Sequence, residues 1–343
     1  MRILFVSVHE VHEYDEVRLL TDLGHQVFPL GHHHRRGPYP GLLRPPLDLG
    51  PEHARLQQAF EEMGCRYDIA DPIRGTVLQR AFVELFDLTI VVFNPFFIHH
   101  FREVLSARPI VLRTIGQAIN QWEHLYAELR AQGVRLVRYA EAEAEQDNYA
   151  GHDAVIRFAK YPEDFPPWRG DRAAVLTFAA SFAQRYPAEF ALWRQATQGL
   201  PVLLGGPNNA MVDGAIGALG MQEQLDLLAS CRAYFYCSGL AIPYTLNFIE
   251  AWLAGIPVVV MDDRIIPRSP RCSEIARLIA PGENCLLVRD AEEARAARQR
   301  LLEDPGYGAR IGAAGRATAR RIFGREGIAA AWQEALARFA TPR

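Results

Sequence analysis

The sequence predicts two successive α/β domains, each built on a doubly wound parallel sheet. Three observations carry that expectation. The chain has 343 residues, and a single hydrophobic core stops growing at roughly 250–300 residues. Two series of short apolar runs alternate with helical stretches, the pattern of parallel strands joined by right-handed crossovers. Between the two series lies YPEDFPPWRGD at 161–171, whose prolines and glycine suit a linker.

The first series opens with RILFVSV at 2–8, an apolar run ending at polar His9 and Glu10. A helical stretch runs on to Leu23, and Gly24 is placed as its left-handed stop. HQVFPL is the second strand, and the Pro- and Gly-rich segment 32–51 is a long loop. DLTIVVF at 87–93, RPIVLRT at 108–114, VRLVRYA at 134–140 and HDAVIRF at 152–158 complete this set. The second series reads AAVLTFAAS, LPVLLGG, AYFYCS, IPVVVMD and NCLLVRD. From Ala291 to Ala340 the chain is helical, with a break at Glu303–Gly308.

Composition narrows the function classes. Apolar residues make up 49% and charged residues 22%, as in soluble globular proteins. A net charge of −3 provides no basic field for nucleic acid. No apolar run approaches the roughly 18–20 residues of a membrane span, and the N-terminus lacks the features of a signal peptide. Cys65, Cys231, Cys237, Cys272 and Cys285 are odd in number and scattered, so neither a disulfide framework nor a zinc site is expected. A cytoplasmic enzyme or binding protein remains. Lys160 is the chain's only lysine; every other basic side chain is arginine.

Several side chains sit where chemistry is done in such sheets. Glu250 is expected near the start of a helix that Gly255 ends, before Pro257 opens a buried strand. A carboxylate there is favoured by the helix dipole and can accept two hydroxyl hydrogen bonds from a ribose. Spacing alone favours a plain solvated glutamate. His9, Glu10 and His12 follow the first strand, on the ligand-binding edge of a parallel sheet. His99, His100, Gly116, Gln117 and Trp122 are further candidates in the first half, with core packing the default for the tryptophan. HHHRR at 32–36 reads as a solvated or acceptor-facing loop rather than a metal tract, and Asp262 and Asp263 as loop carboxylates.

The stretch from Leu225 to Val288, with AYFYCS, FIEAWLAGIPVVV and EIARLIAPGENCLLV, resembles the C-terminal domain of GT-B glycosyltransferases, above all the retaining family four. The helical ending and the opening MRILFVSVHE…LLTDLGHQVFPLG are similar to the two ends of that family. The resemblance implies a GT-B architecture of two Rossmann-like domains facing a cleft. Residues 1–160 would be the acceptor domain, 172–322 the nucleotide-sugar donor domain, and 323–343 a helix returning to the first domain. The family marks its donor site with a glutamate, seven residues, then a second glutamate. The second, which holds the ribose, matches Glu250; the first falls at Ile242. Backbone amides at Tyr244, Thr245 and Leu246 suit a phosphate at a helix N-terminus. Gly205 and Gly206 suit close approach of backbone to ligand, and equally a plain strand-to-loop turn.

The family also places an arginine and a lysine after the first strand of the second domain. Arg185 matches the arginine, with Arg172 or Lys160 as the second cation. His9, Arg185 and His99 make the expected catalytic set. The implied activity is transfer of a hexose from a UDP- or GDP-linked donor to a glycan, lipid-linked or small acceptor, with retention. Metal and cofactor are not expected, and neither is nucleic acid. A peripheral contact with the cytoplasmic membrane face is part of the expectation, and the oligomeric state is left open. Two alternatives stand beside it, a GT-B-like protein that binds without transfer and a sugar-nucleotide epimerase.

Overall fold

The structure is a computed structural model and describes residues 1–34, 43–115, 122–237, 242–262 and 273–340. It divides into two compact units. One is Met1–Ala159 with the chain from Arg325 onward; the other is Lys160–Gly324.

In the first unit six parallel strands are β1 (Arg2–Val6), β2 (Gln26–Leu30), β3 (Leu88–Val92), β4 (Ile110–Arg113), β5 (Arg135–Arg138) and β6 (Ala154–Val155). Their order is β2-β1-β3-β4-β5-β6. β3 is buried at every residue, as its unbroken apolar run requires. Pro29 is tolerated inside β2 because that strand is the sheet edge. The helix Glu10–Asp22 ends where expected, with Gly24 at φ +83°. The run expected over 152–158 forms only the two-residue β6; beyond it Phe158 packs face to face on Tyr139, rings 4.6 Å apart.

One face of this sheet is a core of Leu4, Val6, Phe28, Phe60, Phe82 and Phe97. The helix Arg325–Phe339 packs against Glu10–Asp22 and buries Trp332 and Leu336. A charged cluster ties that helix in. Glu16 accepts from Trp332 Nε1 at 2.9 Å, pairs with Arg113 at 3.2 Å, and meets His12 Nε2 at 2.7 Å. Burial opposes the charge on Glu16, yet Arg113, His12 and the indole outweigh it and lower its pKa to about 2.

In the second unit the strands are β7 (Arg172–Phe178), β8 (Val202–Gly205), β9 (Ala215–Gly217), β10 (Cys231–Tyr236), β11 (Val258–Met261) and β12 (Leu286–Val288). The order is β12-β11-β10-β7-β8-β9, the doubly wound arrangement whose strand order reverses between β7 and β10. The short β9 carries no apolar run and was absent from the sequence expectation. The segment 161–171 belongs to this unit, where Trp168 Nε1 donates to the Cys231 carbonyl at 2.7 Å. The helical tail is interrupted only at Asp304, which caps the helix Pro305–Phe323 through Tyr307 N, and at Gly324. Among the described residues no helix is long and apolar enough to cross a membrane.

Candidate functional site

Ligands of doubly wound sheets bind beyond the strand C-termini, where the strand order reverses. In the second unit that place lies between the ends of β7 and β10.

The helix Leu246–Ala254 follows β10. Thr245 is its N-cap: its hydroxyl accepts from Phe248 N at 3.3 Å. Helix geometry leaves the amides of Leu246 and Asn247 pointing out of the N-terminus. The Tyr244 ring is 1% exposed and packs edge-on against Phe323. Asn247, which sequence reading missed, reaches across the reversal point and donates from Nδ2 to the carbonyl of Phe178, the last residue of β7, at 3.3 Å. A polar amide in the first turn of a helix that is apolar but for Glu250 was the available signal.

Glu250 is the fifth of the nine helical residues, so it stands a turn deeper than expected and beyond the reach of the helix dipole. A different charge holds it. Lys160 Nζ lies 2.5 Å from Glu250 Oε1, with the lysine 2% and the glutamate 4% exposed. Burial pushes the neighbouring Tyr234 phenol well above its ordinary range, and the negative charge of Glu250 adds to that push. Lys160 is therefore paired with the candidate ribose residue, whereas Arg172 opens β7 and is exposed at the opposite, N-terminal edge of the sheet.

The Glu250 helix is pressed against Pro305–Phe323 with glycine at the contacts. A Cβ on Gly312 would fall 2.0 Å from the Gly255 carbonyl oxygen, and one on Gly315 would meet the Trp252 ring at 3.0 Å. Trp252 Nε1 in turn donates to the Asn284 carbonyl at 3.1 Å. Gly255 ends the helix at φ +80°, as its sequence position suggested.

After β7 the chain turns through Ala179 and Ala180 to Ser181, at φ +50°, and the short helix Phe182–Arg185. Asn209 organises this turn. Its Nδ2 donates to the carbonyls of Ala179 (2.6 Å) and Gly206 (3.1 Å), and its Oδ1 accepts from Phe182 N at 2.9 Å. Gly205 and Gly206 are needed for this packing. A Cβ on Gly206, at φ +131°, would lie 2.4 Å from the Ala179 carbonyl oxygen, and one on Gly205 would strike the Phe178 ring. The close approach is thus to neighbouring protein. Arg185 is exposed at the end of its helix, its guanidinium 5.1 Å from the Tyr186 ring centre.

In the first unit the order reverses between β1 and β3. His9 is exposed there, and its ring Nδ1 accepts from His12 N at 3.4 Å as the cap of the helix that follows. His12 is buried with Glu16. Glu10 is buried and accepts from Arg44 N at 2.7 Å. Beyond β3, Phe93 takes φ +67°, uncommon for a bulky residue, and Asn94 caps the helix Pro95–His100. His99 and His100 are exposed at the far end of that helix, about a turn and a half from the strand terminus, so neither sits at the sheet edge. Trp122 is half-buried between Phe93 and Phe96, ring centres 5.0 and 5.7 Å away.

The loop expected to solvate 32–36 is partly internal: His33 is 4% and His34 7% exposed. Glu13 holds it, accepting from the amides of His32 and His33 at 2.8 and 2.9 Å, and burial pushes the Glu13 carboxyl up to about 8. Asp262, at the end of β11, is also buried. Arg35, Arg36, Gly116, Gln117, Asp263 and Cys272 lie outside the described residues.

No protein-family model matches this chain, and no curated protein does. Solved structures are similar over nearly its whole length. A sucrose-phosphate synthase of Thermosynechococcus elongatus is 15% identical, with 98% of each chain covered and a TM-score of 0.67. HepE of Anabaena, solved in complex with UDP-glucose, is 15% identical, with 98% of this chain and 100% of that one covered and a TM-score of 0.67. AviGT4, a glycosyltransferase involved in avilamycin A biosynthesis, is 16% identical at 99% and 98% coverage, with a TM-score of 0.57. At such identities the likeness concerns the fold. The two six-stranded parallel sheets form the two-domain, Rossmann-like GT-B architecture.

Proposed function

We propose that this protein is a glycosyltransferase that moves a hexose from a UDP- or GDP-linked donor to an acceptor hydroxyl, with retention of configuration and without a metal ion. The observation that carries the reading is Glu250, a buried carboxylate at the strand-order reversal of the second sheet, one turn into a helix whose N-terminus faces the same edge. The fold, shared with HepE in its UDP-glucose complex, supports it.

In this reading the diphosphate lies on the amides of Leu246 and Asn247, and Glu250 accepts from the ribose hydroxyls. The bond from sugar C1 to the phosphate oxygen breaks, and its electron pair leaves on the diphosphate. Arg185 meets the charge that develops there. The acceptor oxygen bonds to C1 on the same face, and its proton passes to a donor phosphate oxygen, so no carboxylate pair is required. His9 is the first unit's residue for the acceptor; His99, away from the sheet edge, is assigned no role.

A thermal-shift screen of nucleotide sugars tests the donor, since a ligand stabilises the state it binds by RT ln(1+[L]/Kd). Transfer to a supplied acceptor, the anomeric configuration of the product, and persistence of turnover in chelator test the rest. Ile242, 9% exposed where the family has its first glutamate, favours a second reading as an epimerase or a non-catalytic binder. Turnover of the sugar nucleotide without acceptor would select the epimerase, and binding without any turnover the binder. A peripheral membrane contact belongs to the proposal as well, through the exposed Phe96, His99 and His100 and the half-buried Arg102 beside them. Salt-sensitive flotation with anionic liposomes supports it, and no flotation refutes it.

A further inference from the structure

A buried carboxylate needs a counter-charge, and 37 lysines and arginines were available to this chain. The one that pairs with Glu250 is its sole lysine. We propose that Lys160 is a positioning residue for the nucleotide: its ammonium holds the Glu250 carboxylate ionised and in one orientation for the donor's ribose hydroxyls. The proposal rests on the reading of Glu250 given above.

Three features of the second unit carry it. The Lys160 backbone is fixed, its N–H donating to the Phe323 carbonyl at 2.8 Å within a parallel bridge to Gly324. The same Phe323 packs on Tyr244, two residues before the Glu250 helix begins, so lysine and helix share one support. The helix itself is locked by the glycine contacts at Gly255, Gly312 and Gly315. Two anchored backbones thus bring an ammonium to 2.5 Å from Oε1, both side chains nearly dry.

The choice of lysine is the chemical argument. An ammonium is a compact point charge that engages one carboxylate oxygen, as Lys160 does with Oε1. A guanidinium is a planar fork that takes both oxygens of a carboxylate in parallel. Arginine at 160 would supply the charge but compete with ribose hydroxyls for the same acceptor atoms. A chain that otherwise uses only arginine keeps lysine at the position where a ligand must still reach the carboxylate.

Calorimetry on the full chain tests this with UDP and 2′,3′-dideoxy-UDP, and with the GDP pair in parallel. Wild type is expected to bind the ribonucleotide at least about tenfold more tightly than its dideoxy form, the scale of a hydrogen bond to a charged group. K160M should bring that ratio below about threefold. K160R should do the same although it keeps the charge, which a mere counter-ion role would not cause. Either variant keeping the wild-type ratio overturns the proposal. A wild type that binds the nucleotides without discriminating between sugars overturns it together with the ribose role of Glu250. A wild type that binds none of them overturns the nucleotide-sugar reading itself. A second measurement needs no variant. Because Lys160 is the only lysine, ¹⁵N-lysine labelling gives one side-chain ammonium signal. That signal should move on adding UDP and stay in place with dideoxy-UDP; equal responses to both overturn the proposal.

Discussion

Replacing Glu250 by glutamine should damage two properties that can be measured separately. In wild type the ammonium of Lys160 sits 2.5 Å from the carboxylate with 2% exposure. The amide takes the Glu250 charge away from that ammonium in a site water barely reaches. Breaking a buried pair from one side costs about 3–5 kcal/mol. For a unit of this size each kilocalorie shifts Tm by roughly 2–4 °C, so E250Q should melt roughly 6–20 °C lower. Nucleotide affinity should fall independently, by about 1–3 kcal/mol, for the lost charged acceptor. The double variant K160M/E250Q separates the two. With both charges removed and the volume nearly kept, most of the stability should return while the affinity does not. The measurements are thermal unfolding and titration calorimetry on the four proteins of the cycle. An E250Q protein that melts within about 2 °C of wild type would refute the energetic account of the pair. Unchanged nucleotide affinity would refute the ribose assignment.

Other substitutions probe the remaining parts. Arg185→Ala should lower kcat by roughly 100-fold with little effect on Tm, since the side chain is exposed; lysine should restore only part of the rate, and normal turnover would show that another group holds the diphosphate. Gly312→Ala forces a methyl to within 2.0 Å of the Gly255 carbonyl oxygen. It should destabilise by about 1–3 kcal/mol and weaken nucleotide binding as the Glu250 helix shifts, read by denaturant titration and calorimetry. Glu16 sets an acid limit. Its carboxyl falls from 4.5 when unfolded to about 2 when folded, so its contribution is fully present above about pH 4.5 and is lost as pH falls toward 2. That contribution is roughly 3 kcal/mol, and stability curves of wild type and E16Q between pH 2 and 6 should converge at the acid end.

Much of the fold was legible because buried parallel strands are continuous apolar runs, as in TIVV of β3 and VVV of β11. Turn chemistry was legible for a related reason: Gly24 and Gly255 adopt the left-handed geometry that their places after helices demand. β9 escaped because AIG has neither length nor pattern. The site was legible in part. Glu250 carries a local signature, but its partner is 90 positions away, and long-range pairing leaves no trace in spacing. The histidines illustrate the opposite error: residues after a strand were read as edge-facing, yet His99 rides to the far end of a helix and His12 turns inward to Glu16. Gly205 and Gly206 have the sequence look of a ligand turn, although what approaches them is the Ala179 loop.

The first unit is discontinuous in sequence, and this has a consequence for biosynthesis. Its last helix, Arg325–Phe339, is translated only after all of Lys160–Gly324. Until then Glu16 lacks the indole of Trp332, and the apolar wall of the helix Glu10–Asp22 lacks its cover. The second unit has no such debt to later sequence and can close as soon as Gly324 clears the ribosome. The order of synthesis is therefore the reverse of the order of completion: the half of the protein that is made first is finished last. A nonsense codon just after Gly324 would spare the second unit and leave the other half open along a helix-sized strip.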